Sequence, residues 1–197
     1  MPFFIAHRIN TVAELEETPA HFGVEVDLRD RDGKLFLQHE PFIGGDNFEE
    51  YLKHYHHGTM ILNIKSERIE HKVIDLLKKY DIRDYFFLDS SFPMIHTLSK
   101  EGEKNIALRY SEYESLESVL KMQGRARWVW VDCFHNFPLD KNTYDQLKLA
   151  GFKLCLVSPE LQGRDQDIEI YKEQMKNEGI IFDAICTKSF NAKRWIQ

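Results

Sequence analysis

Met60-Ile61-Leu62-Asn63-Ile64-Lys65, followed by the charged stretch 67–80, contains one full copy of the unit from which this chain is built. The apolar run 60–64 has the composition of a strand buried in a parallel sheet. It carries polar side chains at its carboxyl end, Asn63 and Lys65. The next segment puts Ile69, Val73, Ile74, Leu76 and Leu77 on one side and charges elsewhere, the pattern of a helix that packs back on a sheet. Outward from this unit, similar apolar runs occur at 3–6, 24–28, 85–88, 106–108, 128–131, 152–157 and 180–186, with helical patterns at 143–150 and 168–178. Most strand starts are roughly 20–28 residues apart, the size of one β/α unit. The interval after 24–28 is longer. There the turn signal Asp30-Arg31-Asp32-Gly33 predicts a short extra strand, 34–38, that doubles back.

Eight strand-plus-connector units predict an α/β protein, a compact (β/α)8 TIM barrel, in a single domain over residues 1–197. An open doubly wound sheet is the other arrangement with this alternation. It would carry a Gly-rich phosphate loop after its first strand, and none is present. Polar residues also recur at the carboxyl ends of many strands: His7 and Arg8, Glu25 and Asp27, Asn63 and Lys65, Asp89 and Ser91, Arg109, Asp132, Ser158 and Thr187. Barrel enzymes assemble their sites at that rim, from many strands at once.

Composition narrows the partners. With 26 basic and 32 acidic side chains the net charge is −6, which argues against nucleic acid as a partner. No apolar run approaches the roughly 18–20 residues of a membrane span, so stable membrane insertion is not expected. Three well-separated cysteines give neither a disulfide framework nor a zinc knuckle. With no leader pattern at the start, a cytoplasmic location is the expectation. The sequence leaves the oligomeric state open.

Glu25-Val26-Asp27 is the sharpest local feature. Strand alternation puts both carboxylates on one face, where they repel unless something positive lies between them. A divalent cation with oxygen ligands, Mg²⁺ or Ca²⁺, would do so; an acidic face turned to solvent or to Lys and Arg is the alternative. His7-Arg8 ends the first strand, and His39-Glu40-Pro41 follows the return strand. Two histidines flanking a metal suit phosphodiester cleavage, with Arg8 and Lys65 on the phosphate oxygens.

Together, His7-Arg8, Glu25-x-Asp27, the Asp32-Gly33 turn, His39-Glu40 and the strand ending at Lys65 resemble the glycerophosphodiester phosphodiesterases, within the wider group of phospholipase-C-like barrel phosphodiesterases. The resemblance is strongest over residues 5–65. It implies hydrolysis of a small phosphodiester substrate with a divalent cation, His7 and His39 as the acid/base pair, Arg8 and Lys65 as phosphate contacts, and Glu25 and Asp27 as metal ligands.

Three positions depart from that family's pattern. Ile9 stands where Gly usually follows His-Arg, and Glu40 where Asp usually follows the second His. Asn63 takes the place of a third metal-binding carboxylate, lowering the ligand charge from −3 to −2 and weakening the expected metal affinity. Glu67, Asp89 or Asp132 could restore the charge; Asp89 and Asp132, with Arg109, form a second tier of site residues. A non-catalytic phosphate-binding barrel with a degenerate metal site is the competing reading, and an unrelated barrel enzyme a third. His54, His56 and His57 precede a strand and are expected at the opposite end of the barrel. His21, His71 and His96 are expected in helices, His135 at the rim, and Cys133, Cys155 and Cys186 as buried apolar residues. Only about 20 residues, 41–60, separate His39-Glu40 from the next strand, too few for a sizeable cap.

Overall fold

The structure, a computed structural model, describes residues 2–196. It gathers into two compact units. One spans Ile5–Thr97; the other runs from Leu98 onward and includes the first residues as far as Phe4.

In the N-terminal unit, β1 (Phe3–Ala6) contributes residues 5 and 6, which pair in parallel with the start of β2 (Gly23–Arg31). Past the turn that follows, β3 (Lys34–Leu37), the two-residue β4 (Asp46–Asn47) and the five-residue helix α2 (Phe48–Leu52) lead to β5 (Met60–Ile64). β2 pairs in parallel with β5 from Val24↔Met60 to Leu28↔Ile64, and β5 with β6 (Tyr85–Leu88). Gly23 permits this entry into β2, since a Cβ there would lie 2.3 Å from the Thr59 carbonyl oxygen. Three helices serve as connectors: α1 (Val12–Glu17), α3 (Glu70–Lys79) and α4 (Phe92–Lys100). Thr11 starts α1 with a capping box: its hydroxyl accepts from the Glu14 N–H while the Glu14 carboxylate accepts from the Thr11 N–H.

The last residues of β2 overrun the parallel pairing and turn back. Leu28↔Leu37 to Arg31↔Lys34 are antiparallel pairs closed by Asp32 and Gly33, both at positive φ (51° and 71°), as a two-residue hairpin requires. β4 then pairs with β3.

The C-terminal unit holds four parallel strands, β7 (Ala107–Tyr110), β8 (Trp128–Val131), β9 (Lys153–Val157) and β10 (Ala184–Thr187), paired in sequence order. Its helices are α5 (Leu116–Leu120), α6 (Lys141–Leu149), α7 (Asp167–Glu178) and α8 (Ala192–Trp195). Buried Val129, Leu154, Leu156 and Ile185 fill the sheet, as a parallel sheet covered on both faces demands.

The alternation of strand and helix is as the sequence predicts, with local differences. The run 180–186 yields a strand only from Ala184: Ile180 and Phe182 are buried but sit in the approach to it, and their hydrophobicity serves packing rather than pairing. The predicted 106–108 strand shifts to Ala107–Tyr110. β4 and α2 occupy part of the 41–60 connector, and His21 lies in a turn before β2 rather than in a helix. No described helix is long and apolar enough to cross a membrane.

Candidate active site in the N-terminal unit

Eight sequence-predicted residues come together in one unit: His7 and Arg8 after β1, Glu25 and Asp27 on β2, His39 after β3, Asn63 and Lys65 at the end of β5, and Asp89 after β6. Period-two alternation puts Glu25 and Asp27 on one face, and the register sets Asp27 beside Asn63. Glu25 is 1% exposed and Asp27 0%, which overturns the solvent-facing form of the alternative but not the form in which Lys and Arg meet the acidic face. Asn63 donates from Nδ2 to Glu25 Oε1 (2.8 Å), and the Arg8 backbone N–H donates to Glu25 Oε2 (2.7 Å). His7 Nε2 is 3.8 Å from that same oxygen. Around Asp27, Lys65 Nζ lies 3.7 Å from Oδ1, and Arg8 Nε 4.0 Å from Oδ2. Lys65 also reaches Asp89 Oδ2 at 3.5 Å.

Burial pushes the Glu25 carboxyl up to about 7, helped by the negative charge of Asp27 and opposed by the hydrogen bonds from Asn63 and Arg8. Two buried oxygens nearby, Asp27 Oδ1 and Asn63 Oδ1, accept no hydrogen bond. With Glu25 they form an all-oxygen donor set of the kind Mg²⁺ and Ca²⁺ take. Among the described residues no three His, Cys, Asp or Glu side chains gather to hold a metal, so a cation here would need Asn63 as its third donor.

His39 is held from both sides. Its Nε2 is 2.6 Å from Arg8 Nη2 and its Nδ1 is 2.6 Å from Glu40 Oε1. Guanidinium nitrogens only donate, so in this arrangement Nε2 is the acceptor and Nδ1 carries the proton towards Glu40. The contact holds the Glu40 carboxyl below its usual range. Arg8 and Asp89 both have positive φ, 56° and 60°, a left-handed conformation that costs energy and clusters at functional sites. The family's Gly after His-Arg is therefore not needed here for the turn: Arg8 takes the left-handed conformation, and Ile9 N–H bonds the Glu25 carbonyl (2.9 Å).

Two residues were not anticipated from the sequence. Asn10 donates from Nδ2 to Asp27 Oδ2 and accepts from the Asp27 N–H, both at 2.8 Å. Arg29 donates to the carbonyls of Gln38 (3.1 Å), His39 (2.7 Å from Nη2) and Lys65 (3.2 Å), tying the hairpin to the end of β5. A polar residue shortly after a strand was the signal for Asn10. Arg29, which shares the parity of Glu25 and Asp27, had the signal of a charge on the same strand face.

The remaining candidates take no part in these contacts. Arg109 and Asp132 belong to the C-terminal unit and pair with each other; Asp132 Oδ1 is further occupied by Gln162 Nε2 and the Cys133 N–H, both at 2.9 Å. Glu67 is exposed in the turn before α3, lining a cavity of about 380 Å³ with Arg68, His71 and Ser91. His54 pairs with Glu16 and His57 with the Thr18 carbonyl, so the histidine-rich loop is engaged locally. His135 contacts the Tyr113 hydroxyl at 3.1 Å. Cys133, Cys155 and Cys186 are buried free thiols, and burial pushes Cys133 up to about 12.

No protein-family model matches the chain, and no curated protein matches it in sequence. Among solved structures, a glycerophosphodiester phosphodiesterase from Agrobacterium tumefaciens str. C58 superposes with a TM-score of 0.69 at 16% identity, covering 96% of this chain and 98% of that one. A second protein from that organism, assigned provisionally as a glycerophosphoryl diester phosphodiesterase, gives 0.68 at 15% identity over 99% and 97%. The chain shares their fold. Identities this low carry the fold and nothing finer.

Proposed function

We propose that this chain is a metal-dependent phosphodiesterase acting on a small, glycerophosphodiester-like substrate, with His7 and His39 as its proton-transfer pair. One observation carries the reading: two histidines, Arg8, Lys65 and an oxygen-lined pair of buried carboxylates converge in one unit of a chain with this fold. The closed (β/α)8 barrel and a reduced, cytoplasmic setting belong to the same proposal.

Arg8 and Lys65 bind the phosphate oxygens, compensating charge that grows in the transition state. When Arg8 turns to the phosphate, His39 Nε2 is released to take a proton from the nucleophile, while Glu40 holds the proton on Nδ1. His7 donates a proton to the departing alkoxide. The nucleophile is water or a hydroxyl of the substrate itself. A divalent cation held by Glu25, Asp27 and Asn63 would supply further stabilisation of the phosphate charge.

The test is hydrolysis of glycerophosphocholine by purified protein with Mg²⁺, Ca²⁺ or Mn²⁺. His39→Ala is expected to lower turnover by about 100-fold or more with an unchanged circular dichroism spectrum. No hydrolysis with any of these metals, or an equally active variant, overturns the proposal.

A second reading, phosphate binding without catalysis, is favoured by one specific feature. Asn10, Lys65 and Arg8 already surround Asp27, compensating its charge with no metal.

A further inference from the structure

Asn10 does more at the candidate site than offset charge. Its amide meets Asp27 twice: Oδ1 accepts from the Asp27 backbone N–H and Nδ2 donates to Asp27 Oδ2, both at 2.8 Å. A backbone N–H only donates, so the amide has one orientation and Nδ2 faces the carboxylate. The two bonds tie the Asp27 side chain to its own backbone and occupy Oδ2, while the buried Oδ1 accepts no hydrogen bond. Lys65 Nζ lies 3.7 Å from Oδ1, beyond hydrogen-bond reach.

Asn10 is itself held from both sides. Before it, the Ile9 N–H bonds the Glu25 carbonyl (2.9 Å), and the Ile9 carbonyl accepts from the hydroxyl of buried Tyr51 (3.0 Å). After it comes the capping box of α1, and the Asn10 N–H donates to the same Glu14 carboxylate that closes that box (2.9 Å). Glu25 is restrained in a similar way, with Asn63 Nδ2 on one oxygen and the Arg8 N–H on the other. Asn63 Oδ1, like Asp27 Oδ1, accepts no hydrogen bond. The donor set is therefore rigid and small: two tethered carboxylates and one amide oxygen.

These features discriminate between cations. Ca²⁺ gathers roughly six to eight oxygens, often both from one carboxylate, in a flexible shell; Mg²⁺ is smaller, keeps several waters and needs only one or two carboxylates. For Asp27 to offer both oxygens, Nδ2 of Asn10 would have to give up its acceptor and stay unpaired. We propose that Asn10 is a positioning residue that limits Asp27 to one oxygen, Oδ1, and so makes the site select Mg²⁺ over Ca²⁺. This deepens the phosphodiesterase reading and rests on its cation.

Calorimetric titration of the metal-stripped whole protein with Mg²⁺ and with Ca²⁺, without substrate, reads the preference directly. The native sequence is expected to bind Mg²⁺ about tenfold more tightly. Asn10→Ala frees Oδ2 and should bring the two affinities within about threefold, Mg²⁺ binding weakening while Ca²⁺ binding holds or rises. An asparagine that served structure alone would weaken both cations alike and leave their ratio unmoved. Asn10→Ser, too short to span both groups of Asp27, should shift the ratio in the same direction and serves if the alanine variant does not fold. Equal affinities or a Ca²⁺ preference in the native sequence would overturn the inference, as would a ratio unchanged in either folded variant. Binding of neither cation would overturn it together with the metal's part in the phosphodiesterase reading. Because no turnover is involved, a protein that selects Mg²⁺ through Asn10 yet hydrolyses no glycerophosphocholine would sink the activity and support the inference.

Discussion

Glu25 couples the protonation of the site to the stability of the fold. Its carboxyl, with an ordinary value of 4.5 in the unfolded chain, is raised to about 7 by burial and by Asp27. Between these values the unfolded chain has lost a proton that the folded one keeps, so rising pH favours unfolding. The contribution is complete below about 4.5, declines through that window and levels off above 7. Relative to Glu25→Gln, the protein should lose stability as pH rises across it, measured by denaturant titration from pH 4.5 to 8 without metal. A flat difference between the two proteins would contradict this origin. Glu25, Asp27, Asn63 and Lys65 were legible in the sequence because alternation along a strand fixes which side chains share a face. Asn10 was not. Its place shortly after a strand is a signal for the rim but does not mark it as the partner of a carboxylate 17 positions away.

Strands announced themselves where the apolar run coincides with the pairing: Phe3–Ala6, Met60–Ile64, Tyr85–Leu88 and Trp128–Val131 have the bounds their sequences suggest. They were misjudged where buried residues are not paired, as before β10, or where polar residues are paired, as in the overrun of β2. The hairpin was legible from Asp32-Gly33, but its tie to the site through Arg29 was not, since that depends on carbonyls far along the chain. Lysine offers one charge without the planar fork that reaches three carbonyls. Arg29→Lys should therefore lower turnover of glycerophosphocholine about tenfold or more by loosening His39, with kcat falling rather than KM rising. Steady-state kinetics decide it, and a change in KM alone would place Arg29 in substrate binding.

For the whole molecule, the metal is the decisive variable. A cation that binds the folded chain at 100 times its dissociation constant adds about 2.7 kcal/mol, or roughly 5–10 °C in melting temperature for a chain of this size. Differential scanning calorimetry with and without Mg²⁺ or Ca²⁺ should show that shift, and Asp27→Asn should abolish it. No shift at millimolar metal, with glycerol phosphate still bound, would favour the phosphate-binding reading. The α/β alternation was visible in the spacing of the units; the division of contacts into two units was not, because spacing says nothing of contact density. The hairpin has a consequence for how such a protein can change. β3 is fixed by four pairs to β2 and anchored by Arg29, while its return through residues 40–45 is short and solvent-exposed. Chain can be inserted or exchanged there while the parallel register of β2 and β5 stays intact. The segment is a natural graft point, where one substrate preference could be traded for another and the proton-transfer groups left in place.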